Sequence, residues 1–403
     1  MTIEIRAVRA EEMSAYRRLG TYVFAENDRD PDDRSDDPVR PEWTTCAFVD
    51  GRIAAVMAAF PFTMRWNGAP VAVAGITDVG TDPEFRRRGL LRRLKEHGFR
   101  EQRERGQYVA ILWASMGAIY QRFGYGLAST YARYEFDPRQ AALVDDVASR
   151  GSVRLTPADE ALPELKRAYR TFATPRTLAL HRADVAWRYL LRGGAKDARR
   201  HVGVYRDGDG APTGYVVFGT KEVPARSEPA PDQEMDVHEF VAADRDAFRG
   251  LWEFIRAHDL VARVHMRVAE DDPAPALMLE PRALRRRTAD GIWMRIVDVE
   301  RALPVRRYGE AGALTLSVRD DLCDWNDGTF RLESDGASAE VGRTTDAPDL
   351  TLPVRSLAML TSGHYSATQL ARWGQLEARH ADALRTADRL FATEYRPHCL
   401  DGF

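Results

Sequence analysis

The stretch that decides the fold is "PEFRRRGLLRRL", residues 83–94. A proline and an acid lead into three consecutive arginines, and a glycine then precedes leucines at helical spacing. Like charges side by side repel, so Arg86, Arg87 and Arg88 need a local anion that offsets their repulsion. One interpretation is a solvated helix start, which is what most charge runs are. The other is a turn that binds an anionic ligand.

Length and composition limit the class of protein. A chain of 403 residues is too long for one ordinary core and predicts two or three domains. With 44% hydrophobic and 30% charged residues, we expect a globular, soluble protein. The net charge of −3 argues against a nucleic acid or an anionic membrane as partner. The longest apolar run, residues 53–62, is far too short to span a bilayer.

The compartment is predicted from the N-terminus and the cysteines. "MTIEIRAVRAEEMSAYRRL" carries acids early and has no apolar core of a signal peptide. Cys46, Cys323 and Cys399 are scattered, and neither they nor the histidines have metal-ligand spacing. We therefore expect a cytoplasmic protein that uses no metal.

The first block, residues 1–150, contains the arginine turn. A strand and a helix open it, and an acidic loop follows. "CAFVDGRIAAVMAAFPFTMRWNGAPVAVAGITDV" predicts strands joined at "DG" and "NG", which are strong hairpin signals. After the turn, leucines on one face predict a helix to residue 104. "YVAILWAS" then predicts a buried strand, followed by a short helix.

The second block, residues 151–289, loosely repeats this plan. Aligned without gaps, "EFVAADRDAFRGLWEF" (239–254) falls on "DVGTDPEFRRRGLLRR" (78–93). Gly250 then meets Gly89, while Ala247 and Phe248 stand where Arg86 and Arg87 would be. We interpret the block as a decayed internal copy that has lost its anion site. A third block, residues 290–403, has strands and then helices, which is typical of an α+β domain.

The chemistry of the arginine turn follows from its position between a strand and a helix. A strand that passes through a glycine into a helix points free N–H groups at one spot, and the helix dipole adds positive potential. The Walker and Rossmann glycine patterns are both absent. The segment resembles the R-x-x-G-x turn of the GNAT superfamily of N-acetyltransferases, which cradles the pyrophosphate of coenzyme A. This resemblance favours the anion-binding turn over the solvated helix start.

Three features together resemble the Eis (enhanced intracellular survival) family. They are "GAIYQRFGYG" soon after a strand that ends in "WAS", the decayed second copy, and "WNDGTFRLESDG" near the C-terminus. The resemblance covers essentially the whole chain. It implies an α+β protein: two fused GNAT-like regions, at 1–150 and a degenerate one at 151–289, followed by a sterol-carrier-like domain at 290–403. It also implies a homo-oligomer, specifically a homohexamer.

The resemblance implies the residues that bind acetyl-CoA, the co-substrate. They lie on the strand before the turn, in the turn and helix start, and after the "WAS" strand: Val79, Gly80, Thr81, Arg87, Arg88, Gly89, Leu90, Leu91, Arg92, Ser115 and Met116. Leu91 departs from the superfamily pattern, which usually has glycine or alanine there. Main-chain donors at 87–92 can still serve.

Two catalytic groups are implied by the same resemblance. Tyr120 falls on the family's general acid, because a phenol can hand a proton to the leaving thiolate. Packing alone is the other interpretation of a tyrosine here, and we assign it to Tyr125. The general base would be the C-terminal carboxylate of Phe403, folded back from the third domain. Its alternative is a frayed tail, to which Gly402 would add flexibility.

The acceptor is an amine, and the family acetylates aminoglycosides and lysine side chains. The acidic stretch 26–37 could concentrate polycations through seven carboxylates: Glu26, Asp28, Asp30, Asp32, Asp33, Asp36 and Asp37. A solvated acidic loop is the alternative. Two other functions stay open, a protein lysine acetyltransferase and a lipid or acyl-CoA binding protein without turnover.

Overall fold

The computed structural model describes residues 2–25, 38–145, 147–192, 200–223 and 233–403. The acidic stretch 26–37 and residues 224–232 of the proline-rich segment 223–233 therefore lie outside the described residues. Within the described ranges, no helix is both long and apolar enough to cross a membrane.

Nineteen strands are described, in three sheets. In chain order they are β1 (Ile3–Arg6), β2 (Cys46–Val49), β3 (Arg52–Trp66), β4 (Ala69–Thr81), β5 (Val109–Trp113), β6 (Gly126–Leu127), β7 (Thr130–Phe136), β8 (Ser152–Leu155), β9 (Arg200–Arg206), β10 (Pro212–Glu222), β11 (Gln233–Ala242), β12 (Val261–Ala269), β13 (Arg287–Asp290), β14 (Ile292–Ile296), β15 (Ala311–Arg319), β16 (Gly328–Asp335), β17 (Ala339–Arg343), β18 (Leu350–Pro353) and β19 (Glu377–Ala378).

Eleven α-helices are described with these strands. They are α1 (Met13–Phe24), α2 (Leu90–Glu104), α3 (Gly117–Gln121), α4 (Ala158–Ala173), α5 (Asp184–Arg192), α6 (Arg245–Arg256), α7 (Ala274–Leu277), α8 (Val299–Ala302), α9 (Val354–Thr361), α10 (Ala367–Arg372) and α11 (Ala381–Leu390).

The chain forms two compact units that are not contiguous in sequence. The first contains residues 1–128, 292–393 and 401–403, and the second contains 129–291 and 394–400. The three-domain division of the sequence at 150 and 289 stays a prediction.

The first unit contains a seven-stranded sheet in the order β1-β2-β3-β4-β5-β14-β6. The predicted hairpins are confirmed, because β2 pairs with β3 and β3 with β4 in antiparallel register. Both turns have two residues with positive φ, Asp50–Gly51 and Asn67–Gly68, as a type I′ turn requires. The segment 291–299 was predicted among the strands of the third block, but its strand β14 lies in this sheet beside β5.

Both faces of this sheet are buried, which explains the apolar run at 53–62. Alternate residues point to opposite faces of a strand. On β3, Val56 and Ala58 face a cluster that includes Tyr16 and Leu19 of α1. Ala55 and Met57 face the cluster that includes Leu90, Leu94 and Phe99 of α2, so each helix covers one face.

The rest of the first unit is the five-stranded sheet β17-β16-β15-β18-β19 with α9, α10 and α11. The order of strands and then helices agrees with the sequence prediction for this block. The second unit has a seven-stranded sheet in the order β13-β7-β12-β11-β10-β9-β8. Its core contains residues of α4 in one cluster and of α6 in another.

Candidate active site

The site begins where two parallel strands of the first sheet separate. β4 and β5 pair only from Val73↔Val109 to Gly75↔Ile111. Beyond that point β4 continues to Thr81 paired with β3, and β5 continues to Trp113 paired with β14. Among the described residues, β4 and β5 are therefore not paired with each other beyond Gly75 and Ile111. A ligand inserted between the two strand edges could form hydrogen bonds with their backbone groups, as a further strand does.

A β-bulge changes the direction of β4 near its C-terminal end. The register with β3 shifts between Val56 and Ala58, so Met57 opposes both Asp78 and Val79. Asp78 takes a positive φ of 52°, and its Oδ2 accepts a hydrogen bond of 2.9 Å from the Tyr16 hydroxyl. Bulges redirect a strand locally. Val79 belongs to this bulge and begins the segment Val79–Thr81, which the family resemblance predicted to bind acetyl-CoA.

The arginine turn connects β4 to α2. Phe85 is buried and anchors the turn, while Arg86, Arg87, Arg88 and Gly89 are exposed. Arg87 and Gly89 both have positive φ, 62° and 74°, and Gly89 is the N-cap of α2. A Cβ added to Gly89 would meet nothing within 4 Å, so the space in front of the helix is open.

The backbone supplies the donors of this turn. The first hydrogen bond of α2 runs from Arg93 N–H to the Gly89 carbonyl, at 3.2 Å. The amides of Leu90, Leu91 and Arg92 thus occupy the first turn, where a helix leaves its N–H groups without intrahelical partners. Together with the positive end of the helix dipole, this arrangement of amides is one that can bind an anion.

The arginine side chains have local partners that hold the turn. Arg86 Nε donates to the Thr81 carbonyl at 3.3 Å, and the Arg88 guanidinium lies 5.3 Å from the ring centre of Phe85. Arg92 donates to Glu96 at 2.9 Å and to the Asp321 carbonyl at 3.4 Å. The Arg92 side chain is thereby engaged on the helix surface, so its contribution to an anion site is its backbone amide.

The other side of the opening is formed by the segment after β5. Ser115 and Met116 are exposed, and Met116 is the N-cap of α3. Tyr120 on α3 is buried, which raises the pKa of its phenol. A phenol with a raised pKa stays protonated at neutral pH, as a general acid must. The Tyr125 ring packs edge-on against it with centroids 5.8 Å apart and is wholly buried.

The chain terminus lies at the point where β4 and β5 separate. The Trp113 indole donates to the Asp401 carbonyl at 2.9 Å, which ties the terminus to the last residue of β5. The Phe403 ring packs edge-on against Phe62, with centroids 5.1 Å apart. A Cβ on Gly75 would overlap the Phe62 ring and lie 3.4 Å from the Phe403 ring. Gly75 is the last residue of β4 that pairs with β5.

The sequence prediction did not find two residues of this region. Trp113 was assigned only to a buried strand, and no local pattern indicates its bond to a residue 288 positions away. Lys95 was not singled out, yet it is wholly buried. Its spacing was an available signal, since Leu91 and Phe99 lie four residues to either side, on the same face of the helix.

A splayed parallel pair that leads through a glycine turn into a helix N-terminus is the architecture of an acyltransferase of the GNAT class. Comparison with known families agrees. Models described as Acetyltransferase (GNAT) domain match residues 4–128 and 178–296, and a Sterol carrier protein domain matches 299–400. The chain therefore has two GNAT domains followed by a sterol-carrier-like domain, which confirms the predicted fold class.

Relatives narrow the class further. The chain is 32% identical over 374 residues to an uncharacterized N-acetyltransferase of Streptomyces griseus, covering 89% of each chain. It is 30% identical over 331 residues to N-acetyltransferase Eis of Mycobacterium tuberculosis, covering 80% of this chain and 78% of the relative. The crystal structure of Eis1 from Mycobacterium abscessus matches 99% of this chain and 100% of its own, with 28% identity and a TM-score of 0.86. The chain belongs to the Eis family of GNAT N-acetyltransferases.

Proposed function

We propose that this chain transfers the acetyl group of acetyl-CoA to amines of polycationic acceptors such as aminoglycosides. Tyr120 is the general acid, and the C-terminal carboxylate of Phe403 is the general base. The observation that carries the proposal is the position of the C-terminus. Residues 401–403 belong to the first unit, and the Phe403 ring lies over Gly75, where β4 and β5 separate.

Acetyl-CoA is held along the opening between the two strands. The free edge at Val79–Thr81 pairs with the pantetheine amides, as a further strand would. The amides at 87–92, with the Arg87 and Arg88 guanidinium groups, bind the pyrophosphate. Ser115 and Met116 contact the cofactor from the end of β5. The open space at Gly89 supports this fit.

The reaction needs one proton removed and one supplied. The acceptor nitrogen attacks the thioester carbonyl carbon and passes a proton to the Phe403 carboxylate. The carbon–sulfur bond then breaks, and the leaving sulfur takes the phenolic proton of Tyr120. A free α-carboxylate has a pKa of about 3.3–3.7 and is a weak base unless it is desolvated. Phe403 is partly buried, which favours such desolvation.

In this proposal the seven carboxylates of the acidic stretch 26–37 raise the local concentration of polycationic acceptors. A panel of amines, assayed by release of free thiol from acetyl-CoA, tests the acceptor class. Aminoglycosides should be faster substrates than lysine-containing peptides at equal concentration. Faster turnover of the peptides would instead identify a protein lysine acetyltransferase. Absence of thiol release with every amine would leave a protein that binds acyl-CoA or lipid without turnover.

The chain end provides the decisive experiment. Deletion of Phe403 moves the carboxylate by up to about 3.6 Å, and a general base must lie within hydrogen-bonding distance of its proton. A C-terminal tag converts the carboxylate into a neutral amide. We expect both changes to lower kcat strongly, at least about 100-fold. Phe403→Leu and an N-terminal tag keep the carboxylate and should retain most of kcat.

Two outcomes would contradict the assignment. Full activity of the C-terminally tagged enzyme would remove the terminus from the mechanism. A loss with Phe403→Leu equal to that of the deletion would identify the ring, as an anchor or a wall of the pocket, as the important group.

A homohexamer in the cytoplasm is part of the same proposal, and sedimentation equilibrium measures its subunit number.

A further inference from the structure

A buried amine lies directly behind the proposed general acid. Lys95 of α2 is 1% exposed, and its Nζ lies 5.5 Å from the ring centre of Tyr120 and 5.1 Å from that of Tyr125. Its hydrogen-bond partner is the Tyr125 hydroxyl, at 3.5 Å. Within the part of the chain that the structure describes, no carboxylate forms an ion pair with Lys95.

Such an amine is costly for the fold. Lysine is almost never fully buried without a partner of opposite charge, because its ammonium loses hydration. A methionine of similar shape would fill the same space without that cost. Titratable groups that are perturbed by burial in this way cluster at functional sites.

A second buried cation lies near Lys95. The guanidinium of Arg295 on β14 lies 5.0 Å from the ring centre of Phe99, which is one helical turn from Lys95 on α2. Its Nη2 donates to Asp320 and to the Cys323 sulfur, while Nε and Nη1 are buried without a hydrogen-bond partner among the described residues. The Asp320 carboxylate forms an ion pair with Arg295. Arg295 and Asp320 offset each other's charge, so the Lys95 ammonium is the positive charge that opposes the cost of burying a phenolate at Tyr120.

We infer that Lys95 is a positioning residue of the transfer reaction. Its ammonium lies over the Tyr120 ring and stabilises the phenolate that forms when Tyr120 gives up its proton. The inference rests on the proposed role of Tyr120 as general acid. Aromatic faces attract a cation, which holds the ammonium over the two rings.

The step balances without a further reagent. The carbon–sulfur bond breaks, and the leaving sulfur takes the proton from the Tyr120 oxygen. The phenolate then regains a proton from water, while the proton lost by the acceptor nitrogen goes to the general base. Lys95 keeps its own proton throughout and acts through its charge.

This role makes the contribution of Lys95 depend on pH. Burial lowers the pKa of Lys95 to about 7, so the ammonium is present below that pH and is lost above it. The facing groups do not titrate there: burial raises the pKa of Tyr120, Tyr125 and Cys323, the last to about 12. Arginine keeps its charge throughout this range, so Arg295 is constant. The stabilisation by Lys95 should therefore fade as pH rises through about 7.

The test compares Lys95→Met with the wild-type enzyme at saturating acetyl-CoA and acceptor from pH 6 to 9. Other ionisations cancel in the ratio of the two kcat values. We expect wild type to be faster by roughly tenfold or more near pH 6 and by less than about twofold at pH 9. Arg100→Met, which removes an exposed cation from the same helix, should match wild type at every pH.

Repeating the comparison in a Tyr120→Phe background separates this inference from the proposed function. If Lys95 acts through the phenol, the ratio should stay within about twofold at all pH values in that background. A ratio that does not vary with pH, or a loss that persists unchanged with Tyr120→Phe, would reduce Lys95 to a packing role. If Tyr120→Phe alone leaves kcat unchanged, the general acid itself is refuted, and the role of Lys95 is refuted with it.

Discussion

The two GNAT domains of this chain contain the same strand–turn–helix unit with opposite chemistry at the turn. In each, a parallel pair separates part-way: β4 from β5 after Gly75, and β11 from β12 after Val237. In each, the strand that continues leads into a helix, α2 or α6. The N-cap of α2 is Gly89, which leaves the space open, whereas the N-cap of α6 is Asp244.

Asp244 fills the position that an anionic ligand would take. Its carboxylate accepts a hydrogen bond of 2.8 Å from the Ala247 amide and lies at the positive end of the helix dipole. A phosphate there would compete with a covalently attached carboxylate and would be repelled by its charge. The two domains thus differ at the helix N-terminus: α6 is closed by its own capping carboxylate, whereas the start of α2 is open.

The gapless sequence alignment of the two units is wrong at this turn. It placed Gly250 opposite Gly89, but Gly250 lies inside α6, where an added Cβ would lie 2.6 Å from the Tyr205 ring. Ala247 and Phe248, aligned with Arg86 and Arg87, are buried in the core of the second unit. The cause is loop length, because residues 82–89 separate β4 from α2, whereas only 243 and 244 separate β11 from α6.

The positions that carry the proposed chemistry also differ. Counted from the N-caps, the position of Lys95 on α2 corresponds to Gly250 on α6. The short helix after β5 contains Tyr120, whereas the short helix after β12, α7, has the sequence Ala-Pro-Ala-Leu. The second domain thus retains the sheet while these two side chains are absent from the equivalent places.

The largest expected effect is at Gly89. Gly89→Asp would give α2 the kind of cap that α6 has, with a negative charge in the proposed pyrophosphate site. We expect acetyl-CoA affinity, measured by calorimetry, to fall at least about 100-fold. Gly89→Asn is the matched control, because asparagine has nearly the same shape, tolerates a positive φ and is neutral. It should keep most of the affinity, and equal losses in both variants would mean that backbone strain, not charge, is responsible.

The next largest effect is expected at Tyr120, which has no counterpart in the short helix α7 of the second domain. Tyr120→Phe should lower kcat by roughly 100-fold, the usual scale for a lost general acid, with little change in acetyl-CoA affinity. Tyr108→Phe, which removes a phenol close to the start of β5 in the same domain, is the control and should behave as wild type. A wild-type kcat for Tyr120→Phe would return this tyrosine to a packing role.

Local patterns predicted most of the secondary structure around the candidate site. The "DG" and "NG" turns, the helix after Gly89 and the strands of the C-terminal block depend on neighbours in sequence, so they could be predicted from the chain. The partner of β14 and the bond from Trp113 to Asp401 join residues far apart in the chain, and no local pattern encodes them. Burial of Lys95 was missed because a long polar side chain on a helix is usually exposed.

The smallest expected effect is at the second turn, where the comparison predicts no gain of binding. Asp244→Gly removes the cap of α6 and should lower the free energy of unfolding by only a few tenths of a kcal/mol, because glycine is itself a tolerated N-cap. It should not create a second acetyl-CoA site, since the second turn is only two residues long and has no counterpart of Arg87 and Arg88. Equilibrium dialysis with labelled acetyl-CoA should give one molecule per chain in wild type and in Asp244→Gly, and none in Gly89→Asp at the same concentration. Two molecules per chain in wild type would show that the second domain still binds the cofactor. Two molecules per chain in Asp244→Gly, with one in wild type, would show that the Asp244 carboxylate alone prevents binding at the second turn. The arginines of the first turn would then be dispensable for binding.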